Sequence, residues 1–265
     1  MSDRSVARVR HEVRRRLLDV IGTTHVTAHL VRITLGGEQL AGFTSLGFDD
    51  HVKVIVPSDR EACDSLPPLD PGGLIAELPE PAMRDYTPHH FDPAALTLQV
   101  DFALHDEGPA TAWARRAKLG DKLLIGGPRS SFVVGTGFDW HLLVGDGTAL
   151  PAIRRRLAEL PAGSRAVVLA EVDGPEDEEP FESRADVDAH WIHRSHADRS
   201  GMLSLLAAVT AARLPEGACY AWIACESSEA KLIRAALLSR GVDPSALKAS
   251  GYWRRGLVAT HEVHE

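Results

Sequence analysis

Gly-Thr-Gly-Phe-Asp-Trp-His-Leu-Leu-Val-Gly-Asp-Gly-Thr-Ala-Leu, residues 135–150, is the stretch in which the pattern of the chain changes. Before it, short apolar or alternating runs are broken by Gly, Pro and Asp, which is typical of an antiparallel barrel. After it, continuous apolar runs alternate with helix-like segments, which indicates parallel strands joined by crossover helices. The sequence therefore predicts an N-terminal antiparallel β-barrel domain, residues 1–137, and a C-terminal α/β domain with a parallel sheet, residues 138–265.

The same patterns place the individual elements. Barrel strands are predicted at residues 13–21, 27–35, 51–57, 96–104, 122–125 and 131–134, with one helix at 109–119. In the second domain, strands are predicted at 141–144, 166–171 and 220–225, and helices at 150–160, 201–212 and 228–239. The acidic run 173–182 predicts an exposed loop.

Composition excludes several classes of function. The formal net charge of −8 argues against a nucleic-acid binder, since phosphate contacts need a basic surface. The sequence contains no apolar run long enough to predict a membrane span or a signal peptide, so we expect a cytoplasmic protein. Three scattered cysteines do not provide a disulfide framework, a CxxC pair or a four-cysteine cluster. Six arginines between Arg4 and Arg16 predict a solvated, strand-bordering segment, to which we assign no role.

Two segments of the barrel half carry groups that suit a nucleotide cofactor. Arg84-Asp85-Tyr86-Thr87-Pro88 offers a guanidinium for a phosphate, a flat ring and a hydroxyl. Residues 101–114 place a strand end before a helix start, whose unpaired N–H groups suit a pyrophosphate. Taken alone, the same residues also fit a turn with a surface arginine, a core tyrosine and a core tryptophan.

In this order, the two segments resemble the Arg-x-Tyr-Thr and Gly-Pro-Ala-x-x-Trp-Ala flavin-binding motifs of siderophore-interacting proteins, a branch of the ferredoxin reductase-like superfamily. The resemblance extends over nearly the whole chain, with further matches at residues 51–53, 126–132, 145–153, 191–194 and 251–256. The chain departs from the family at Gly147, where Glu is frequent, and residues 145–148 are not a GxGxxG fingerprint.

The resemblance implies FAD in the barrel domain and NAD(P)H, as electron donor, in the α/β domain. Arg84 would bind flavin phosphate, Tyr86 would pack on the isoalloxazine, and Thr87 would hydrogen-bond near its reactive edge. The remaining FAD contacts implied are Asp101, Phe102, Leu104, His105, Gly108, Pro109, Ala110, Thr111 and Trp113. The nicotinamide nucleotide would lie at the strand ends, on Gly145, Asp146, Thr148, Ala149, Ala224, Glu226 and Trp253.

The resemblance also implies a substrate, because Lys53, Arg129 and Arg254 match a basic cluster beside the flavin. Such a cluster would attract an anionic ferric siderophore of catecholate or mixed type. The implied reaction reduces Fe(III) with electrons from NAD(P)H by way of FAD and releases Fe(II), with no side chain as catalytic acid or base. We expect no metal ligands from the protein, because the iron arrives inside its chelator. We also expect a monomer.

Two other functions remain open from the sequence. One is a general NAD(P)H:flavin or ferric reductase without a siderophore site, and the other is a non-catalytic ferric-chelate carrier. The sequence does not separate NADH, NADPH and ferredoxin as donors. Arginines at 154–156 and 194 could meet a 2′-phosphate or could be exposed helix arginines.

Overall fold

The structure is a computed structural model that describes residues 3–56, 82–104, 108–194, 204–255 and 262–264. The chain forms two compact units. One consists of Arg8–Val133, and the other joins Val134–Glu265 to the residues before Arg8. Each unit has its own sheet and its own hydrophobic core.

The first unit is built on antiparallel strands. They are β1 Val6–Arg10, β2 Arg15–Thr27, β3 Leu30–Gly36, β4 Val52–Val56, β5 Ala82–Tyr86, β6 Pro88–Asp92, β7 Thr97–Ala103, β8 Lys122–Gly126 and β9 Ser130–Val134. Seven of them form one sheet in the order β5-β4-β8-β2-β3-β7-β6, while β1 pairs with β9 in a separate sheet. One helix, α1, spans Pro109–Arg116. The predicted antiparallel N-terminal fold is confirmed.

Alternation along the strands builds the core of this unit. In β2, Arg16, Leu18 and Val20 are buried while their neighbours are partly exposed, because successive side chains point to opposite faces. Arg16 therefore departs from the predicted solvated segment. Its guanidinium is buried and donates to the carbonyl oxygens of Gln39 and Gly127 at 2.9 Å and 3.2 Å.

The second unit holds a mainly parallel sheet. Its strands are β10 Trp140–Gly145, β11 Arg165–Val172, β12 Asp186–His193, β13 Cys219–Glu226, β14 Leu247–Trp253 and β15 Glu262–His264. Its helices are α2 Leu150–Glu159, α3 Ser204–Ala211 and α4 Ser227–Ser239. The strand order is β12-β11-β10-β13-β14-β15, in which only the pairing of β15 is antiparallel. The predicted parallel sheet is confirmed.

The connection from β11 to β12 contains no α-helix, in agreement with the exposed loop predicted for residues 173–182. Residues 173–185 contain only a short 3₁₀ turn, Pro175–Asp177. Gly174, Pro175 and Pro180 interrupt the segment, and its many carboxylates leave no apolar stripe to bury, so no α-helix forms. Most of the acidic run is exposed or half-buried as predicted, although Asp177 is buried. Within the described ranges, no helix is long and apolar enough to cross a membrane.

Candidate functional site

The Arg84–Thr87 segment is the end of a strand and the link to the next one. Arg84 and Tyr86 lie opposite Val54 and Val52 of β4, which are fully buried, so both side chains start from the core face of the sheet. The ring centroids of Tyr86 and Phe102 are 4.3 Å apart. Burial raises the pKa of the Tyr86 phenol well above its usual range, so Tyr86 stays protonated.

Arg84 keeps its guanidinium available for an anion. Its hydrogen bond goes to the carbonyl oxygen of neighbouring Met83, at 2.9 Å, and the described part of the chain offers it no carboxylate partner. Thr87 follows at the junction of β5 and β6 and is 5% exposed. The segment thus contains a cation, a protonated aromatic ring packed against Phe102 and a buried hydroxyl within four residues.

Three of the side chains assigned to the flavin lie in the core instead. The Asp101 carboxylate is fully buried and accepts two hydrogen bonds from Arg32, at 2.7 Å and 2.8 Å. Phe102 is 0% exposed and Trp113 is 2% exposed, and their ring centroids are 5.6 Å apart. The ion pair joins β3 to β7, and the ring contact packs α1, which carries Trp113, onto β7, which carries Phe102, so these side chains stabilise the sheet and its helix. The alternative of a core tryptophan is the one that the structure shows for Trp113.

The start of α1 retains the features of an anion site. Gly108 precedes the helix with a φ of 149°, and no side chain of the described residues caps it. Pro109 occupies the first turn, and Ala110 and Thr111 follow as buried residues. Uncapped N–H groups at a helix N-terminus, together with the available Arg84 guanidinium, are the donors that a pyrophosphate requires, so the residues present fit FAD. Leu104 is 7% exposed, and its backbone N–H donates a hydrogen bond to the carbonyl oxygen of His29. His105 lies outside the described residues.

In the second unit, the turn after β10 depends on close packing. Gly145 lies between Ala224 of β13 and Ala149, and a Cβ at this position would be 2.8 Å from the Ala224 oxygen and 2.4 Å from the Ala149 Cβ. Only glycine fits without movement. The strand order places this turn at the switch point between β10 and β13, where doubly wound sheets bind nucleotides.

Asp146 joins two of the predicted nicotinamide residues directly. One carboxylate oxygen accepts hydrogen bonds from the N–H and the hydroxyl of Thr148, at 2.9 Å and 2.5 Å. The other accepts from the indole N–H of Trp253, at the end of β14, at 2.7 Å. Asp146 is 2% exposed, so its carboxylate acts as a fixed anchor for the turn and for the indole.

Glu226 has a structural task within the same unit. Its carboxylate caps α4 by accepting from the N–H groups of Ser228 and Glu229, at 2.7 Å and 3.1 Å. Burial alone raises the pKa of the Glu226 carboxyl, but these N–H groups and that of Arg255 lower it below its ordinary value. Glu226 is therefore a charged helix cap.

Sequence reasoning missed a group of buried ionisable residues beside this turn. Burial raises the pKa of the Glu171 carboxyl to about 7 although Arg194 donates to it at 2.9 Å. Burial also raises the pKa of Glu229, which accepts from the N–H of Leu206, and of the Cys225 thiol. For Glu171 and Cys225, the signal in the sequence was a carboxylate or a thiol within an otherwise apolar strand, whereas Glu229 lies in the first turn of α4, where an acidic residue is ordinary.

Three of the four arginines considered for a 2′-phosphate, Arg154, Arg155 and Arg194, are paired with carboxylates. Arg154 is buried and pairs with Glu179 at 2.7 Å, so the prediction of an exposed helix arginine is wrong for this residue. Arg155 pairs with Glu159 one helical turn later, and Arg194 bridges Glu171 and Asp173.

The predicted substrate cations occupy both units. Lys53 of β4 is half-exposed and donates to Asp85 at 2.8 Å. Arg129 is exposed, just before β9, and Arg254 is exposed, directly after β14. Lys53 and Arg129 therefore belong to the first unit and Arg254 to the second.

Two family models match consecutive parts of the chain. A siderophore-interacting FAD-binding domain matches residues 19–132, and a siderophore-interacting protein model matches residues 138–256. The chain belongs to the siderophore-interacting protein family. The resemblance inferred from the motifs is thereby confirmed.

Individual members of the family agree over almost the full length. The NADPH-dependent ferric-chelate reductase of Escherichia coli is 34% identical over 93% of this chain and 95% of its own. The ferric vibriobactin reductase ViuB of Vibrio cholerae is 30% identical over 91% of this chain and 90% of its own.

Solved structures support the same assignment. A siderophore utilization protein from T. fusca is 32% identical and superposes with a TM-score of 0.85 over 97% of this chain and 99% of its own. The ferredoxin reductase of carbazole 1,9a-dioxygenase shares the fold at 17% identity, with a TM-score of 0.62 over 89% of this chain and 68% of its own. The ferredoxin reductase-like fold predicted for this siderophore-interacting protein is confirmed.

Proposed function

We propose that this protein is an FAD-dependent reductase that transfers electrons from NAD(P)H to ferric siderophores and releases Fe(II). The named relatives reduce ferric chelates, and the chain covers nearly all of their length. One hydride carries two electrons, so each NAD(P)H oxidised reduces two Fe(III) to two Fe(II) and leaves one proton. The weaker fit of Fe(II) to hard, charged chelators makes reduction equivalent to release.

The observation that carries the proposal is the set of anion donors in the FAD-binding unit. Arg84 has no carboxylate partner among the described residues, and α1 begins without a side-chain cap. When bound, FAD supplies the electron-carrying chemistry, because its flavin accepts a hydride and passes on single electrons. Arg84 and the Gly108–Thr111 helix start would hold its phosphates, and Tyr86 and Thr87 would orient its ring. The protein's contribution is positioning and electrostatics.

In the second unit, we propose that Gly145, Asp146, Thr148 and Ala149 hold the nicotinamide nucleotide. Support comes from their position at the switch point and from the hydrogen bond that ties Asp146 to Trp253. Ala224 and Glu226 complete this edge of the sheet. We propose that the FAD-binding domain ends at residue 137 and that the NAD(P)H-binding domain begins at residue 138.

The substrate that we propose is an anionic siderophore of catecholate or mixed type, bound by a monomer. The support is chemical, because Lys53, Arg129 and Arg254 bring positive charge to a chain with a net charge of −8. We propose that the protein acts in the cytoplasm.

Removing single positive charges tests whether the protein has a specific binding site for siderophores. We expect Lys53→Ala and Arg254→Ala to lower kcat/KM for a ferric triscatecholate by about fivefold each, as for partly exposed charge contacts. Reduction of a neutral quinone by the same preparations should be unchanged. If both acceptors are reduced as by the wild type, the protein is a general reductase.

A further inference from the structure

Four residues form a row across neighbouring strands of the first unit. Gly126 of β8 lies opposite Arg15 of β2 on one side and opposite Lys53 of β4 on the other. Lys53 in turn lies opposite Asp85 of β5. Directly opposed residues of antiparallel strands project from the same face of a sheet, so Arg15, Lys53 and Asp85 share one face.

Gly126 leaves a gap between the two cations. A Cβ placed there would be 3.9 Å from both the Arg15 Cγ and the Lys53 Cβ, which is ordinary van der Waals contact. The two aliphatic stems therefore flank a strip of bare backbone. A flat anionic group can enter such a gap between two positive side chains.

The charges of the row are distributed unevenly. The Lys53 ammonium is held by Asp85 at 2.8 Å. Glu12, the acidic residue near Arg15 in sequence, pairs with Arg14 at 2.7 Å. The described part of the chain provides no carboxylate for Arg15. Arg15 is therefore the cation of the row whose charge is not already compensated.

The backbone segment that leads to Arg15 pairs with the segment that contains Arg129, the second predicted substrate cation of this unit. The N–H of Gly127 donates to the Arg14 carbonyl, and the N–H of His11 donates to the Arg129 carbonyl, both at 3.0 Å. Residues 11–15 thus run beside residues 126–129. Arg129 is exposed, and Arg15 is half-buried.

We propose that Arg15 is a further substrate-binding residue, which together with Lys53 and Arg129 receives an anionic oxygen-donor chelate over the Gly126 gap. The inference rests on the proposed reductase function and extends its substrate site to a residue of the N-terminal arginine run. Arg15 would act by binding charge, without taking part in electron transfer.

The test compares charge-neutral and charge-conserving variants of the holoenzyme. For Arg15→Gln, we expect KM for a ferric triscatecholate to rise about fivefold with kcat unchanged, as for loss of one partly exposed charge contact. Arg15→Lys should recover most of the affinity. Gly126→Val, which fills the gap without changing charge, should also raise KM. Arg115→Gln is the matched control, because Arg115 is an exposed arginine of α1 in the same unit.

A second readout does not depend on turnover. The redox-inert Ga(III) triscatecholate should bind Arg15→Gln about fivefold more weakly than the wild type, and the difference should shrink at high salt. Unchanged KM and unchanged Ga(III) chelate binding in Arg15→Gln, with active wild type, would overturn the role of Arg15. Failure of the proposed function would look different, because the wild type itself would then reduce no ferric chelate.

Discussion

Asp146 is the residue on which the proposed nicotinamide site depends most, since one carboxylate fixes both the turn after β10 and the indole of Trp253. Both oxygens accept hydrogen bonds, and the carboxylate is almost fully buried. An amide at this position would place an N–H donor against the N–H of Thr148 or of Trp253. The substitution Asp146→Asn keeps nearly the same shape, so it tests the hydrogen bonds of the carboxylate separately from its packing.

We expect Asp146→Asn to raise KM for NAD(P)H roughly tenfold, because a buried donor loses its acceptor. The flavin content of the purified protein should be unchanged, since Asp146 lies outside the FAD-binding unit. Asp188→Asn, an equal change at an exposed position on β12, is the control. Loss of flavin with unchanged KM would contradict the assignment.

His141 links stability to pH. It is 4% exposed, lies among Phe138 and Tyr220, and burial together with the charge of Arg156 lowers its pKa to about 3. The unfolded chain takes up this proton near pH 6.5 and the folded protein does not, so the stabilising contribution is complete above pH 6.5 and is lost as the pH falls toward 3.

We predict that the free energy of unfolding of the wild type falls by about 2 kcal/mol more between pH 7 and pH 5 than that of His141→Phe, which cannot titrate. Urea titrations at the two pH values measure the difference. Equal pH dependence of the two proteins would show that His141 is not buried as a neutral ring.

At the scale of elements, the turn from β10 to α2 is the most constrained. Gly145→Ala places a methyl group 2.4 Å from the Ala149 Cβ, and we expect it to cost about 1–3 kcal/mol of stability and to weaken NAD(P)H binding. Gly147→Ala is the matched control, because a Cβ there meets nothing within 4 Å. Thermal unfolding and KM for NAD(P)H compare the two variants, and equal behaviour would refute the tight packing of this turn.

The same open space bears on the departure of the sequence from its family at Gly147. A Cβ at this position would meet nothing within 4 Å, so packing does not require glycine there.

Strands with a strong apolar period could be predicted from the sequence, and strands without one could not. The continuous apolar run in β10 and the alternation of buried and exposed residues in β2 predicted these two strands. By contrast, β12 reads Asp-Val-Asp-Ala-His-Trp-Ile-His and has no buried residue. In β14, packing requires Gly251, since a Cβ at this position would collide with Ser227. Such requirements depend on neighbours distant in sequence and leave no local pattern.

The site followed the same rule. Arg84 and Gly108 could be predicted because their chemistry and order match a family motif. The sequence could not show that the Asp101 carboxylate pairs with Arg32, which lies 69 residues earlier. It also left Arg15 within an arginine run. Cross-strand register, which the sequence does not specify, places Arg15 and Lys53 on opposite sides of Gly126.

At the scale of the whole molecule, an acidic protein must provide local positive charge to receive an anionic chelate. The net charge is −8, yet Arg15, Lys53 and Arg129 fall within one short stretch of the first unit's sheet and its adjoining turn. We therefore expect kcat/KM for an anionic ferric chelate to decrease with ionic strength, because salt screens the attraction.

The most direct test of the central claim is the anaerobic visible spectrum of the purified holoprotein, recorded before and after NAD(P)H and then after a ferric triscatecholate with a ferrous trap. The account predicts flavin bands that bleach with the nucleotide and recover with the chelate as the trap develops two equivalents of Fe(II) for each NAD(P)H. A protein that binds the chelate but shows no flavin, or whose bleached flavin does not recover, would contradict it.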